Sequence, residues 1–350
     1  MTRYITLIQS TFGPKDGQLH GYPGHEELEL ALMKLFRLTN ASEHRDLARY
    51  FIEERGQRRN GKHFYELEAE QNGVTLWPGH FKKESWFDYM QAGKPIREQE
   101  TIEGDSSFIM TKVGHAVRAM YFLCGVSEVG LYLNDTSLLT ALVRLYKDMV
   151  ERKMYVTYGI GSVRQWEGFG EPYDLPNDSA YCETCAGIGL VFLCHRLLKW
   201  DWTTLIQHGL KPGEIADVME GALYNVVSGS VSIDGKAFFY VNPLETRGAS
   251  YQRKDWFDVS CCPPNVARLF SSLGDYVFLT RKTVHESVTR IVLVVVLYMN
   301  CTAEIDVDGH KIKVHVETEW PLSGVVKIWF QNAENVQIEL RLRIPAWGNV

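Results

Sequence analysis

The sequence lacks an excess of basic charge and lacks any long hydrophobic run. Its 37 Lys and Arg residues are outnumbered by 43 Asp and Glu residues, which gives a formal net charge of −6. No basic patch stands out, so we expect no nucleic-acid partner. The longest apolar run, Ile291–Met299, is too short to span a bilayer. The opening residues, MTRYITLIQSTFGPKDG, do not pair a basic segment with an apolar one, so we predict neither a signal peptide nor a membrane partner.

The cysteines are too few and too irregularly spaced for a disulfide framework. Seven cysteines is an odd number for a chain of 350 residues, whereas small secreted folds use denser, paired sets. Free or metal-bound thiols fit a reducing compartment, so we predict a cytoplasmic protein. For Cys124, Cys194 and Cys301 we favour the plain interpretation, a small buried apolar side chain. The sequence leaves the oligomeric state open, with a homodimer as one option.

Two stretches concentrate the side chains that could perform chemistry. The first, EGFGEPYDLPNDSAYCETC, runs from Glu167 to Cys185, and the second, CCPPN, is Cys261–Asn265. Thiolate sulfur favours zinc, and a carboxylate can complete a tetrahedral site. Taken alone, the C-x-x-C formed by Cys182 and Cys185 would fit either zinc or redox chemistry. Together the two stretches predict a metal site and a pair of catalytic groups.

Both stretches are predicted to lie where a loop meets a helix. Glu183 and Cys185 are two residues apart, so they share a face only if this segment is extended or turning. Cys262 precedes a proline, which disfavours helical geometry at that cysteine. Pro263 or Pro264 can then open a helix, because the missing N–H costs nothing there.

The hydropathy pattern predicts a helical first part and a β-rich last part. Residues 1–24 are expected to be irregular, and residues 57–105 show little periodicity. Helices are predicted over residues 26–38, 42–55, 113–125, 137–153, 184–200, 212–227 and 263–280. After residue 281, alternating apolar residues around an Asp-Gly turn at 308–309 predict antiparallel strands. We therefore predict an α+β chain, with a partial α/α barrel over residues 1–282 and a small antiparallel β-sandwich over residues 283–350.

Nine segments spread along the chain carry a family resemblance. They are GYPGHEELELAL (21–32), PIREQ (95–99), VGHAVRAMY (113–121), YGIGS (158–162), EGFGEPYDLPNDSAYCETCA (167–186), ALYNVVSG (222–229), FFYVNPLE (238–245), CCPPNVARL (261–269) and LRIPAW (342–347). In this order they resemble the β-L-arabinofuranosidases of glycoside hydrolase family 127. The most specific elements are YDLPND-x-x-Y-x-ETCA and the later CCPPN.

The resemblance implies a fold, a metal and a catalytic pair. Such enzymes have an (α/α)6-type barrel followed by β-sandwich domains. The residues that match the family's zinc ligands are Glu183, Cys185, Cys261 and Cys262. In this reading Cys261 is also the nucleophile, and Glu167 is the general acid/base.

The resemblance further implies residues that contact the sugar. His25 and His115 match family histidines that line the sugar pocket, and Glu220 and Tyr240 are expected to contact the substrate. Each has a plainer interpretation from the sequence alone. His25 could cap its helix, His115 could be a satisfied core histidine, and Glu220 could be a solvated helix residue.

The implied chemistry is consistent with elementary acid–base behaviour. A free thiol is mostly protonated at neutral pH, while a metal favours the thiolate. A carboxylic acid must be protonated to assist the leaving group, so we expect a raised pKa for Glu167, with Trp166 and Phe169 supplying apolar surroundings. Three thiolates and a carboxylate around one zinc carry about −2 of formal charge, so a positive neighbour or hydrogen-bond donors should compensate.

We therefore predict a zinc-dependent retaining glycoside hydrolase that releases L-arabinofuranose from a small β-L-arabinofuranoside substrate. Relative to the family, the chain is expected to begin inside the barrel and to end before the β region is complete. Three alternatives stay open. They are a related enzyme for another furanoside or an acidic pentose, a non-catalytic zinc-binding or carbohydrate-binding remnant, and an α/α-barrel epimerase or unsaturated-uronyl hydrolase.

Overall fold

The computed structural model describes residues 2–73, 95–102, 114–164, 167–246, 251–285, 288–307, 309–333 and 337–348. The α-helices are α1 (Thr2–Thr11), α2 (Leu28–Thr39), α3 (Ser42–Glu54), α4 (Phe64–Gln71), α5 (Ala116–Leu133), α6 (Thr136–Arg152), α7 (Thr184–Leu198), α8 (Trp202–Gln207), α9 (Pro212–Gly221), α10 (Cys262–Ser271) and α11 (Gly274–Val277). The strands are β1 (Arg58–Arg59), β2 (Lys62–His63), β3 (Phe278–His285), β4 (Val288–Val295), β5 (Cys301–Val307), β6 (His310–Thr318), β7 (Val326–Gln331) and β8 (Gln337–Leu342). Helices followed by strands give the predicted α+β fold.

The first residues form a helix, so the prediction of an irregular start is wrong. In α1 the side chain of Ile5 is buried, and Ile8 and Phe12 pack against the core. These three residues are three and four positions apart, which is the spacing of one helix face. This apolar spacing covers only three residues and is followed by a glycine-rich segment, so the sequence pattern alone did not indicate a helix.

Residues 57–105 contain more regular structure than their low periodicity suggested. Strands β1 and β2 form an antiparallel hairpin around Asn60 and Gly61. Both turn residues have positive φ, 53° and 78°, as the tight turn of a two-residue hairpin requires. The Asn60-Gly61 dipeptide is therefore the sequence feature that indicates this hairpin. Helix α4 and a 3-10 turn at Ile96–Glu98 follow, and residues 74–94 and 103–105 lie outside the described part.

Most predicted helices are confirmed, and α5 is longer than predicted. Its expected start at Val113 lies outside the described residues, and its expected end was Gly125. The helix continues to Leu133 because Gly125 serves packing rather than termination. A Cβ at this glycine would lie 2.8 Å from the Cβ of Glu29 on α2, so the glycine lets the two helices approach closely.

Helices α5 and α7 form the centre of the helical part. Helix α5 packs on α2, α3, α6 and α7, and α7 packs also on α9 and α10. Ala116–Leu133 is long and apolar enough to cross a membrane, with a mean hydropathy of 1.3, but 83 % of it is buried inside the protein. A helix that is apolar on all sides and enclosed by other helices is typical of a protein core.

The last two predicted helices, 212–227 and 263–280, both change in their second half: the first changes helix type and the second ends early. Helix α9 continues beyond Gly221 as a π-helical segment, Ala222–Ser228, which matches the predicted length. Helix α10 ends at Ser271, whereas a helix to residue 280 was predicted. The chain turns through α11 and enters β3 at Phe278, where every residue pairs with a residue of β4.

In the described part of the β region, the strands form two three-stranded sheets, in the orders β3-β4-β8 and β5-β6-β7. The second sheet is antiparallel, as predicted. In the first sheet β8 lies parallel to β4, with Ile338 opposite Ile291, so the prediction of a purely antiparallel region is wrong. Alternation of apolar residues marks a strand but does not say which neighbour it pairs with or in which direction. The predicted turn residue Asp308 lies outside the described part, and the predicted domain boundary at 282/283 falls within β3.

The two sheets share an apolar cluster. Ile291 of β4 and Ile312 of β6 are buried, and Ile305, Phe330 and Ile338 pack around them. These side chains come from both sheets, so each sheet covers an apolar face of the other.

A buried polar network joins α9 to the β region. Arg343 Nη2 donates to Glu220 Oε2 at 2.6 Å, and Trp320 Nε1 donates to Glu220 Oε1 at 3.0 Å. Arg343 Nε lies 3.6 Å from Asp217 Oδ1. The side chains of Arg343 and Glu220 are 3 % and 11 % exposed, so these charges depend on each other rather than on water.

We expect Arg343→Met to lower the free energy of unfolding by roughly 3–5 kcal/mol, because it leaves two carboxylates in the interface without their cation. Urea titration followed by circular dichroism measures the change. Lys211→Met removes the cation of an exposed pair with Glu214 and should change stability little. Equal effects of the two substitutions would show that the network does not stabilise the interface.

Candidate active site

One cavity of about 370 Å³ collects most of the residues that the sequence singled out. Its lining includes His25, His115, Glu167, Glu183, Cys185, Tyr240 and Cys261. Cys262 lies directly behind this lining and is fully buried. Residues up to 243 positions apart in the chain therefore meet in one pocket, from His25 to Arg268.

The thiols and one carboxylate meet at the N-terminal ends of two helices. Glu183 is the N-cap residue of α7, and Cys185 lies in its first turn. Cys261 is the N-cap residue of α10, and Cys262 is its first helical residue. The helix thus begins next to the prolines, as predicted, but the expectation that Cys262 itself would not be helical is wrong. One ligand atom from each of the four residues lies within 4.8 Å of the others. Both helix N-termini place positive ends of their dipoles next to this anionic group.

The separations within the cluster are short. Cys261 Sγ lies 3.7 Å from Cys262 Sγ and 3.4 Å from Glu183 Oε1. Cys262 Sγ lies 3.7 Å from the same oxygen. The second oxygen, Glu183 Oε2, is buried without a hydrogen-bond partner among the described residues. Three sulfur atoms and one carboxylate in this arrangement could hold a metal ion.

A nearby extended segment fixes both helix ends. Thr184 N donates to Tyr240 O at 2.9 Å, and Glu183 and Val241 form a β-bridge. The Tyr240 hydroxyl lies 3.2 Å from Cys261 Sγ, in hydrogen-bond contact. Glu183 is thus extended, as its spacing to Cys185 predicted, whereas Cys185 is already helical.

The electrostatics of the cluster allow one thiolate but disfavour several anions together. Hydrogen bonds from Cys185 and Cys262 lower the pKa of the Cys261 thiol. The hydrogen bond to Cys261 raises the pKa of Cys185, while burial raises the pKa of Cys262 and of Glu183. Full ionisation of these groups therefore requires a cation among them.

Cys182 stands apart from this cluster, although it forms the C-x-x-C with Cys185. Its side chain packs with Tyr155 and Ala180 in a separate apolar cluster. A Cβ on Gly159 would lie 2.7 Å from its sulfur, so the thiol fits against bare backbone. Burial raises the pKa of this thiol to about 12. Among the described residues, the candidate metal-binding cluster includes Cys185 but not Cys182, so the two cysteines of the C-x-x-C do not act as a pair there.

Glu167 sits in a tight turn that aims its carboxylate into the pocket. Its φ of 52° is uncommon for a residue with a side chain. The next residue, Gly168, forms a β-bridge with His115, and a Cβ there would lie 2.4 Å from Gly114 O. The close contact requires glycine, and the turn is held against the start of α5. A strained backbone held in place by its surroundings is a feature of functional sites.

Two side chains hold the Glu167 carboxylate. The Tyr181 hydroxyl donates to Glu167 Oε1 at 2.7 Å, and His115 Nε2 lies 3.2 Å from Glu167 Oε2. Burial acts to raise the pKa of Glu167, but the contacts with His115 and Tyr181 outweigh it and lower the pKa. The expectation of a raised pKa is therefore wrong for this structure. Phe169 is buried beside it, and Trp166 lies outside the described residues.

The two predicted pocket histidines take different positions. His25 lies before Glu27, which is the N-cap residue of α2, so His25 does not cap that helix. Its ring lies 5.9 Å from that of Tyr121, and burial lowers its pKa to about 4. His115 is the N-cap residue of α5 without a side-chain capping bond, and burial lowers its pKa. Both imidazoles face the cavity.

The structure does not bring Glu220 into the pocket. Its carboxylate binds Arg343 and Trp320 at the interface with the β region. A glutamate late in a helix gives no sequence sign of which neighbour it faces, and its partners lie 123 and 100 residues further along the chain. The structure therefore does not place Glu220 among the residues that could contact a sugar in this pocket.

Several pocket residues were not identified from the sequence. They are Glu27, Arg118, Tyr121, Asn265 and Arg268. Tyr121 and Asn265 belong to segments already noted for other residues, VGHAVRAMY and CCPPNVARL. The turn spacing could have found Arg268, because it lies seven residues, almost two full helical turns, beyond the N-cap residue Cys261.

Comparison with sequence families gives two matches in chain order. The profile of the β-L-arabinofuranosidase GH127 catalytic domain matches residues 1–275. The profile of the GH127 middle domain matches residues 292–350.

Individual proteins give the same result. The chain is 34 % identical to a non-reducing end β-L-arabinofuranosidase of Bifidobacterium longum subsp. longum, over 97 % of this chain and 49 % of that protein. It resembles the crystal structure of a GH127 β-L-arabinofuranosidase from Geobacillus stearothermophilus T6, with a TM-score of 0.81 and 35 % identity, over 100 % of this chain and 51 % of that one. A solved GH127 β-arabinofuranosidase matches with a TM-score of 0.76 and 33 % identity, over 99 % of this chain and 46 % of the other.

The chain thus spans about half the length of the relatives it matches. The catalytic-domain profile covers most of its residues, the middle-domain profile follows in the same order, and the identity to a curated relative exceeds 30 %. The family resemblance noted in the sequence is confirmed, and the chain belongs to glycoside hydrolase family 127.

Proposed function

We propose that this protein is a zinc-dependent, retaining glycoside hydrolase that removes a terminal L-arabinofuranose from β-L-arabinofuranosides. One observation carries the proposal: a buried thiol–carboxylate cluster and the held carboxylate of Glu167 face the same cavity. A nucleophile and an acid/base on either side of a glycosidic bond are what retaining hydrolysis needs. Two proteins that this chain is similar to are named as β-L-arabinofuranosidases.

The dimensions of the cluster support zinc. A tetrahedral zinc with Zn–S distances of about 2.3 Å and a Zn–O distance of about 2.0–2.2 Å separates its ligand atoms by roughly 3.5–3.8 Å. The sulfur–sulfur separation of 3.7 Å and the sulfur–oxygen separations of 3.4 and 3.7 Å fit these values. Glu183, Cys185, Cys261 and Cys262 would hold the ion, and bound zinc would favour the thiolate of Cys261 and stabilise that sulfur when it departs.

Cys261 and Glu167 both act in each of the two half-reactions. Cys261 Sγ attacks the anomeric carbon while Glu167, in its protonated form, gives a proton to the departing oxygen. His115 and Tyr181 disfavour this form, whereas the negative charge of Cys261 favours it. Water then attacks the same carbon, Glu167 takes a proton from it, and the carbon–sulfur bond breaks. Two inversions leave the configuration retained. Of the two cluster cysteines at the start of α10, Cys261 is partly exposed, whereas Cys262 is fully buried.

The shape of the cavity favours a small sugar at a chain end. Its volume of about 370 Å³ is near the lower limit for ligand pockets. We include a cytoplasmic location in the proposal, because all seven cysteines are free thiols in the structure. Assays with aryl glycosides of other furanoses and of acidic pentoses test the choice of sugar.

We expect purified protein to contain about one zinc per chain, as a single four-ligand site predicts. Cys185→Ala should remove most of this zinc, and treatment with a chelator should lower the unfolding temperature, because binding free energy adds to stability. Cys182→Ala is the matched control, since Cys182 lies three residues away but outside the cluster. Inductively coupled plasma mass spectrometry measures the content. Equal zinc loss in both variants would refute this ligand set.

We expect Cys261→Ser to lower kcat on an aryl β-L-arabinofuranoside by about 10³-fold or more, the scale of losing a nucleophile, while part of the zinc remains. Cys301→Ser, a half-buried cysteine of strand β5, is the control. Mass spectrometry of protein quenched during turnover should show a sugar adduct on wild type and none on Cys261→Ser. Full activity of Cys261→Ser would rule out the assignment of the nucleophile.

We expect Tyr181→Phe to lower kcat by about tenfold to a hundredfold, because Glu167 loses the hydroxyl that orients it. KM and zinc content should stay close to wild type, which separates positioning from folding. Tyr155→Phe removes a hydroxyl that donates to Pro176 O in the same loop region, and it should retain activity. The measurement is single-turnover kinetics, and a pure KM effect of Tyr181→Phe would contradict the positioning role.

A further inference from the structure

An ion pair lies at the mouth of the pocket and has no part in the reaction described above. Arg268 Nη1 donates to Glu27 Oε1 at 2.6 Å, and the two side chains are 46 % and 45 % exposed. Both residues line the cavity. At the closed end, Glu183 and Cys185 are each only 2 % exposed. The pocket therefore has a buried end, which carries the thiols, and a solvent-facing end, which carries the ion pair.

The guanidinium of this pair is held in a fixed orientation. Arg268 Nη2 donates to the Tyr121 hydroxyl at 2.6 Å, and Asn265 Nδ2 donates to the same oxygen at 2.9 Å. The guanidinium carbon also lies 5.1 Å from the ring centre of Phe192. These contacts join the start of α2 to α5 and α10. Arg268 has more N–H donors than the two that these hydrogen bonds use.

Stability alone does not account for this pair. Half-exposed ion pairs contribute little to folding, because water competes for both charges. Glu27 occupies the N-cap position of α2, yet its side chain makes no capping hydrogen bond. Serine, threonine, aspartate and asparagine are the residues that serve this position well. The Glu27 side chain instead reaches across the pocket mouth to a residue 241 positions away.

We propose that Glu27 and Arg268 form a subsite for the leaving-group part of the substrate, and that this part is a second sugar or a similar polyhydroxylated group. The inference rests on the proposed function, because it places the terminal sugar at the thiol end of the cavity. The group attached through the scissile oxygen then extends towards the mouth. Neighbouring hydroxyls of a sugar can donate to a carboxylate and accept from a guanidinium, which is the pairing that Glu27 and Arg268 present.

The test compares two substrates that share the terminal arabinofuranose. One is the p-nitrophenyl β-L-arabinofuranoside, whose leaving group has no ring hydroxyls, and the other is a β-L-arabinofuranosyl disaccharide. For zinc-loaded protein we expect Glu27→Gln to lower kcat/KM about tenfold on the disaccharide and less than about threefold on the aryl glycoside. Arg268→Lys, which keeps the charge but loses the fork of donors, should show the same bias.

A matched control comes from an exposed ion pair outside the pocket. Glu214→Gln removes the partner of Lys211 and should leave both substrates and their ratio unchanged. Equal losses on both substrates in Glu27→Gln would overturn the subsite and indicate that the pair only supports the pocket wall. An unchanged ratio in both Glu27→Gln and Arg268→Lys would overturn it as well.

A binding measurement separates this inference from the proposed function. Isothermal titration of a zinc-loaded Glu167→Gln protein with the intact disaccharide, and then with free L-arabinose, needs no turnover. We expect the added Glu27→Gln to weaken disaccharide binding about tenfold and to affect arabinose much less. Disaccharide binding with this bias, but no hydrolysis by wild type, would support the subsite and reject the proposed activity. Binding of neither sugar would overturn both.

Discussion

The structure depends on one electrostatic constraint, the burial of three thiols and a carboxylate at a single point. Burial raises the pKa of Glu183 and of Cys262, so these groups keep their protons unless positive charge lies among them. The fold supplies partial positive charge by directing the N-termini of α7 and α10 at the cluster. Helix dipoles are too weak to balance several anions, which is why this donor set is suited to a cation. Helix α7, with Glu183 at its N-cap and Cys185 in its first turn, lies at the centre of the helical core.

The loops around the cluster are fixed by backbone contacts rather than by regular sheets. Single β-bridges join His115 to Gly168 and Glu183 to Val241. Each bridge fixes the backbone at a single residue, so a side chain is positioned while the chain on either side remains a loop that can line the cavity. The positive φ of Glu167 is part of the same arrangement, since the bridge at Gly168 turns the preceding carboxylate inwards. The rigid helices hold the ligands, and the bridged turns hold the acid/base candidate over them.

The sequence predicts the residues of the cluster better than it predicts their neighbours. The prolines after Cys262 and the apolar run after Cys185 force helix starts at both places, so the junctions follow from local chemistry. The parallel pairing of β8 depends instead on a partner more than forty residues away, which alternation cannot specify. Glu220 was misplaced for the same reason, because its cation belongs to another region of the chain. Sequence patterns over a few residues predict where helices begin and which side chains share a face. Strand partners and ion pairs between residues far apart in the sequence become visible only in the folded structure.

The charge balance of the pocket is also a property of the folded chain. The sequence predicts a positive neighbour or hydrogen-bond donors for the anionic cluster, without naming them. The positive charge in the pocket lining comes from Arg118 and Arg268. Burial, reinforced by Arg118, lowers the pKa of His25 to about 4, so this imidazole is neutral at physiological pH. A neutral imidazole can both donate and accept hydrogen bonds, as a sugar hydroxyl does. The arginines thus supply the positive charge of the pocket lining, and His25 contributes a neutral imidazole to it.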